Sequence, residues 1–273
     1  MQAKLICSDI DGTLLNIDRE LSPKTITVIK ELSRIPFILI SSRMPQAMKH
    51  LQGELDISHL PLIAYNGGLI LEGEEVLQST EISIKLTESI CNFSANTNIH
   101  TSLYHGYHWF VPEMDYWANR ESNNTKVKPQ VQDIDKTLVQ WKEKNIGAHK
   151  IMCMGDENEI DTLANYIEEH HSDQIIGYRS KPTYLEISPV TISKKTAIAA
   201  LLDLKYPELS LENVLAFGDN YNDIEMLAAV GTGVAVQNAI SEVTAVADEI
   251  TLSNIEDGVA IFLENSFVLS GSV

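Results

Sequence analysis

The 273-residue sequence predicts an α/β protein, a doubly wound parallel sheet interrupted once by an α+β insertion. Three observations predict it. Apolar runs too short for helices recur at residues 5–7, 36–40, 60–65 and 214–217, and each delivers polar or glycine-containing residues into a turn. Segments with helical apolar spacing separate these runs, as crossovers between parallel strands require. From about Leu69 to Ile187 the alternation gives way to short strands and longer amphipathic helices, and it returns at Ser188. The boundaries expected from this pattern are residues 1–80 and 188–273 for the α/β core and 81–187 for the insertion.

The first strand carries Asp9 and Asp11 into a turn opened by Gly12. The carboxyl end of a strand in an open α/β sheet is where ligands bind, so two acids there mark a site. Residues two apart on a strand share a face, but the Gly12 turn can swing the second carboxylate away. One acid is then free to hold a metal and attack, and the other to move protons. Mg²⁺ suits such a pair, because it takes hard oxygen ligands and is commonly held by one or two carboxylates plus substrate phosphate. Taken alone, Asp-x-Asp-Gly is also the composition of an ordinary solvated turn.

Ser22 and Pro23 open a helix whose apolar positions include Thr25, Ile26, Val28, Ile29 and Leu32. The second strand ends in Ser41, Ser42 and Arg43. A hydroxyl there can bond a phosphoryl oxygen and an arginine can pair with a second anionic group, while Ser42 and Pro45 also suit a helix start. Residues 44–51 should be helical, and the third strand closes on Asn66 and Gly67, which its position makes substrate-contact candidates.

In the insertion, residues 82–93, 133–144 and 156–170 read as helices and 99–111 as a hairpin around Gly106. Residues 150–154, 174–178 and 183–187 complete a second sheet, on which two helices are expected to pack. His105 and His108 are three apart, so on a strand they face opposite sides and do not converge on one ion. Leu103, His105, Tyr107 and Trp109 are expected to share one strand face.

After the insertion, Ser193, Lys194 and Lys195 open a helix. The strand at 214–217 delivers Gly218, Asp219, Asn220, Tyr221, Asn222 and Asp223, with Asn222 as an expected N-cap. Asp219 at the strand end and Asp223 in the first helical turn can face the same metal as Asp9. Residues 231–236 supply a fifth strand and 248–250 an edge strand. Gly231-Thr232-Gly233 precedes a strand rather than following one, which is wrong for a dinucleotide loop.

Lys and Arg number 20 against 38 Asp and Glu, a formal charge of −18. That excess disfavours nucleic acid and anionic membrane as partners but not a small anionic substrate, whose local field a metal ion and a few basic residues can supply. Cys7, Cys91 and Cys153 are widely spaced and in no metal-ligand pattern, as expected of reduced, buried thiols in a cytoplasmic protein. No leader or membrane span is expected.

Four separated signatures occur in one order: Asp9-x-Asp11, Ser41, Lys194, and Gly218-Asp219-x-x-Asn222-Asp223. Together with Asn66-Gly67 and Gly231-x-Gly233-Val234-Ala235-Val236-x-Asn238-Ala239 they make the chain resemble the haloacid dehalogenase superfamily, in particular Cof-type sugar-phosphatase-like hydrolases. The resemblance implies a Rossmann-like core with a large inserted cap. It also implies a Mg²⁺-dependent phosphatase acting on a small-molecule phosphoester. Asp9 would be the nucleophile, and Asp11 the acid and then the base. Ser41 and Lys194 would hold the phosphoryl group. Mg²⁺ would be bound by Asp9, the main-chain carbonyl of Asp11, and Asp219, with Asp223 acting through water. Gly12, Ser42, Arg43, Asn66, Gly67 and Asn222 are the substrate-contact candidates. The family usually has glycine after the motif lysine, so Lys195 leaves two lysines able to serve; Ser-Ser-Arg at 41–43 stands where Thr-Gly-Arg is commoner. The same core also serves phosphomutases, and a metabolite-binding regulator is the rival from another class.

Overall fold

The structure is a computed structural model and describes residues 3–32 and 34–268. The chain begins β1 (Leu5–Ser8), α1 (Pro23–Glu31), β2 (Phe37–Ile40), α2 (Gln46–Leu55), β3 (Pro61–Ala64), β4 (Leu69–Glu72) and β5 (Glu75–Ser79). It continues through α3 (Ile84–Ser94), β6 (His100–His105), β7 (His108–Val111), α4 (Tyr116–Thr125), β8 (Gln130–Val131), α5 (Ile134–Lys144), β9 (Lys150–Met154), α6 (Glu157–His171), β10 (Ile175–Lys181) and β11 (Tyr184–Pro189). It ends with α7 (Lys194–Lys205), β12 (Val214–Gly218), α8 (Ile224–Leu227), β13 (Thr232–Val236), α9 (Ser241–Thr244), β14 (Glu249–Thr251) and α10 (Gly258–Leu263). Two compact units result, one from the chain up to Ser42, Met48–Leu77 and the chain from Ser193 onward, the other from Arg43–Ala47 and Gln78–Ile192.

The first unit is built on an eight-stranded sheet in the order β14-β13-β12-β1-β2-β3-β4-β5. From β14 to β3 every pairing is parallel, and β4 returns antiparallel on β3. β1, β2, β3 and β12 are buried along their whole length, which is why they read as continuous apolar runs rather than alternating ones. The chain runs from β1 outward to β2 on one side and returns to β12 on the other. The carboxyl ends of β1 and β12 therefore meet at the point where the winding reverses, in the register Ser8↔Phe217. Ser22 caps α1 and Ser193 caps α7, whose Ala197, Ile198, Leu201 and Leu202 enter the core beside Leu5, Ile38 and Ala216.

The second unit is a six-stranded sheet in the order β10-β11-β9-β6-β7-β8. All its pairings are antiparallel except β7 with β8. Three helices rather than two pack on it, since α3, α5 and α6 send Ile90, Leu138, Trp141, Ile160 and Leu163 into one core with Leu103, Phe110, Ile151 and Leu185. Leu103 and Trp109 do not share a face. The hairpin turn at Gly106 resets the alternation, so Phe110 pairs with Leu103 while Trp109 pairs with Tyr104 and stacks on it at 5.5 Å between ring centres. Helix α4, capped by Asp115, has no apolar periodicity and was not expected. The three cysteines are buried free thiols, and among the described residues no helix is long and apolar enough to cross a membrane.

Candidate active site

β1 ends at Ser8, and the next amide, that of Asp9, donates to the Phe217 carbonyl at 3.0 Å. One more parallel bond thus carries the ladder past the strand and locks Asp9 beside the loop that follows β12. Asp9 is buried and Asp11, two residues on, is exposed. The turn between them needs Gly12. Its φ is +84°, and a Cβ there would stand 2.4 Å from Oδ2 of Asp219. Thr13 follows and donates its hydroxyl to Oδ1 of Asp219 at 2.7 Å.

Lys194 is the first residue of α7, and its ammonium lies at the centre of the cluster. It donates to Oδ1 of Asp9 at 2.5 Å and to Oδ1 of Asp223 at 2.6 Å, with side-chain exposure of 0%. Lys195, the other lysine the sequence offered, is exposed. Asp223 is equally buried, and its Oδ2 accepts the backbone N–H groups of Asp219 and Asn220 at 3.0 and 3.1 Å. The cap of this turn is Asn220 rather than Asn222. The reason is geometric: a 3-10 turn over Tyr221–Asp223 precedes α8 and moves the cap two residues back.

Carboxylate oxygens of Asp9, Asp219 and Asp223 all lie within 4.8 Å of one another. Burial pushes the Asp9 carboxyl well above the usual range, against the pull of Lys194 and with the help of Asp223 and Asp219. Asp219 is pushed up to about 6, again chiefly by burial. Burial by itself would lower the Lys194 ammonium, but Asp223 and Asp9 outweigh it and hold it above its ordinary value. Three acids facing one ammonium leave a buried surplus of negative charge. A set of hard oxygens with that surplus fits a divalent cation of the Mg²⁺ type.

Of the remaining candidates, Ser41, Asn66 and Asn222 are joined by hydrogen bonds. Ser41 is buried just past β2, and its carbonyl accepts the Asn66 N–H at 2.8 Å. The Asn66 side chain in turn accepts from Nδ2 of Asn222 at 3.1 Å. Gly67, with φ +108°, is buried against α7, where a Cβ would stand 2.6 Å from that of Ala197. Its place in the structure is close packing under the helix that carries Lys194. Ser42 is half-buried, and the buried Arg43 donates Nη1 to the Ala47 carbonyl at 3.1 Å.

A second cluster with metal-ligand side chains lies in the other unit: Glu81, His105 and His149, also within 4.8 Å. Against the expectation from their spacing, His105 and His108 stand directly opposite each other on β6 and β7 and share a sheet face, because the turn at Gly106 resets the alternation; the ligand atoms that close on His105 are those of His149, 44 positions later, a pairing with no local signal. The hydrogen bonds here make a closed chain. The Gly106 N–H donates to Nδ1 of His149 at 3.1 Å, so Nε2 carries the proton and donates to the Ser79 hydroxyl at 3.0 Å. Ser79 donates to Oε1 of Glu81 at 3.2 Å, the Gly147 N–H donates to Oε2 at 2.7 Å, and Nδ1 of His105 donates to the Gly147 carbonyl at 2.9 Å. Burial and then His105 push His149 down to about 3, so the imidazole is neutral.

Comparison with known proteins identifies the family. The model of the family described as haloacid dehalogenase-like hydrolase matches residues 6–263. A Haemophilus influenzae protein provisionally named a phosphatase is 31% identical over 272 residues, 98% of this chain and 99% of its own. A Bacillus subtilis protein named 5-amino-6-(5-phospho-D-ribitylamino)uracil phosphatase is 26% identical over 279 residues, covering 97% of this chain and 98% of its own. Among solved structures, a haloacid dehalogenase-like hydrolase from Bacteroides thetaiotaomicron superimposes with a TM-score of 0.89 at 27% identity, over 97% of this chain and 100% of that one.

Proposed function

The chain belongs to the haloacid dehalogenase-like hydrolases, and from that premise we propose that it is a Mg²⁺-dependent phosphatase of small phosphorylated metabolites. The observation that carries the reading is the buried Lys194 ammonium shared by Asp9 and Asp223 at the junction of β1 and β12, with Asp219 in the same cluster. Asp9, Asp219 and the main-chain carbonyl of Asp11 would hold the cation. When bound, Mg²⁺ supplies positive charge against the phosphoryl oxygens and favours the ionised form of Asp9.

The steps belong to the chain's own groups. A carboxylate oxygen of Asp9 attacks phosphorus, the bond from phosphorus to the ester oxygen breaks, and Asp11 gives its proton to the departing alkoxide. Asp11 then takes a proton from water as the water oxygen attacks the aspartyl-phosphate, releasing phosphate and restoring the Asp9 carboxylate. Lys194 offsets charge on Asp9 and on the equatorial phosphoryl oxygens, and the Ser41 hydroxyl gives them a further donor. Asp11 suits the proton-transfer task because it is exposed while Asp9 is buried. The leaving alcohol must reach a proton source that the nucleophile does not occupy.

The test is Mg²⁺-dependent phosphate release from a panel of sugar phosphates, nucleotides and other phosphomonoesters, with Asp9→Asn alongside. The expected result is turnover by the natural sequence and a loss of about a thousandfold or more in the variant. Turnover that survives Asp9→Asn excludes the aspartyl-phosphate. Transfer that needs a sugar bisphosphate and yields no free phosphate makes the chain a mutase.

A further inference from the structure

We infer that Asn238 is a positioning residue that holds the Asp9–Asp11 loop and the Asp219 loop at a fixed separation, an inference that rests on the phosphatase reading. Asn238 lies two residues beyond β13 and contacts neither a carboxylate of the cluster nor Lys194 through any bond described above. Its Nδ2 donates to the Gly12 carbonyl at 2.7 Å, across 226 positions of sequence. Its Oδ1 accepts the backbone N–H of Asn254 at 2.9 Å, and Nδ2 of Asn254 donates to the Leu15 carbonyl at 2.7 Å. Two residues on, the N–H of Ile240 donates to the carbonyl of Asp219 at 3.0 Å. The short segment from Asn238 to Ile240 therefore grips both acid-bearing loops, one by a side chain and the other by the backbone.

The chemistry of the grip selects asparagine. The Gly12 carbonyl only accepts and the Asn254 N–H only donates, so one side-chain end must be a donor and the other an acceptor. This also fixes the orientation of the amide, since the flipped form would set N–H against N–H and oxygen against oxygen. Aspartate has the shape but offers no donor to Gly12. Alanine offers nothing. What the bond restrains is the peptide following Gly12, whose far side carries Thr13 and its hydroxyl on Asp219. With Gly12 at φ +84° and packed against the Asp219 carboxylate, a rotation of that peptide moves Asp11 and Asp219 relative to each other. Positioning of this kind acts on the chemical step, where small displacements are costly.

Asn238 is exposed, so its removal leaves no cavity and the fold is expected to survive. The experiment compares the full chain with Asn238→Ala and Asn238→Asp by steady-state kinetics under saturating Mg²⁺, by thermal melting, and by amide exchange of the loop. The Leu14 and Leu15 amides, both bonded to the Ile10 carbonyl, report on the loop directly. In both variants kcat is expected to fall about tenfold with KM within about twofold, the value of one well-placed hydrogen bond felt in the transition state. The melting temperature should move by no more than about 2 °C, and Leu14 and Leu15 should exchange several-fold faster. Unchanged kcat and exchange in both variants overturns the inference. A rise in KM at constant kcat also overturns it, because that result makes Asn238 a substrate contact. If the natural sequence releases no phosphate from any ester, the functional reading fails on its own, and the exchange rates still decide whether Asn238 holds the loop.

Discussion

Each unit of the molecule contains a knot of titratable side chains close enough to hold an ion, and the two differ in how their charge is balanced. In the first, Asp9 and Asp223 share one buried ammonium, and Asp219 stands in the same cluster. In the second, the neutral His149 bonds to Gly106 and Ser79, Nδ1 of His105 bonds to the Gly147 carbonyl, and Glu81 accepts from Ser79 and the Gly147 N–H. Proximity of ligand atoms is the same in both. What separates the two clusters is the surplus: one is short of positive charge, and the other engages its donors and acceptors in its own hydrogen-bond chain.

The sharpest way to break that contrast is to remove the ammonium. Lys194→Met leaves two buried carboxylates facing each other and is expected to cost about 3–5 kcal/mol of stability, read as a fall in the denaturant midpoint. A loss under about 1 kcal/mol would mean that the acids are already protonated or solvated, and the surplus argument would fail.

Asp219→Asn is expected to act in the opposite direction in metal-free protein. The Asp219 carboxyl is raised to about 6 in the fold from 3.8, so the folded chain keeps a proton that the unfolded chain gives up. Its contribution to stability is therefore greatest below pH of about 3.8 and is lost as pH rises through about 6. At pH 7 the variant should melt higher than the natural sequence without metal, by about 1–2 kcal/mol after allowance for solvent at this half-buried site, and the gap should close near pH 4. Mg²⁺ should raise the melting temperature of the natural sequence more at pH 7 than at pH 5, and should do little for the variant. Equal Mg²⁺ shifts in the two proteins would move the cation away from Asp219.

His149→Gln tests the other half of the comparison. It breaks the hydrogen bonds of His149 to Gly106 and Ser79, at an expected cost of about 1–2 kcal/mol, and should leave the Mg²⁺-dependent melting shift unchanged. A diminished Mg²⁺ shift would show that the second cluster is also a cation site. The smallest effect is expected from Thr13→Val, which deletes one hydrogen bond to Asp219 and should cost about 1 kcal/mol, seen as a slightly earlier denaturant midpoint.

Much of the first unit was legible before folding because its signals are local. A buried parallel strand reads as an unbroken apolar run, and the residue after it is placed by the strand itself, so Asp9, Ser41, Asn66 and Asp219 could be assigned to one sheet edge from their positions alone. The second unit was less legible for the same reason. Helix α4 has no apolar stripe, the hairpin turn at Gly106 reversed the facing of Trp109, and the partner of His105 lies on another strand. Gly67 offered no local sign that it packs under Ala197, since an Asn-Gly-Gly turn looks the same whether it meets a ligand or a helix.

By itself the sequence determined the strand ends that carry acids, the order of the signatures and the family they mark, since spacing along the chain is enough to specify these. Tertiary structure alone chose Lys194 over Lys195, gave the Asn220 side chain the cap, tied Gly12 to Asn238 and closed the His149 clasp. All but the Asn220 cap join residues far apart in sequence, such as the 185 positions between Asp9 and Lys194. Such contacts exist only once the strand order brings β1 against β12, and the energy of burying a charge depends on what else is buried beside it.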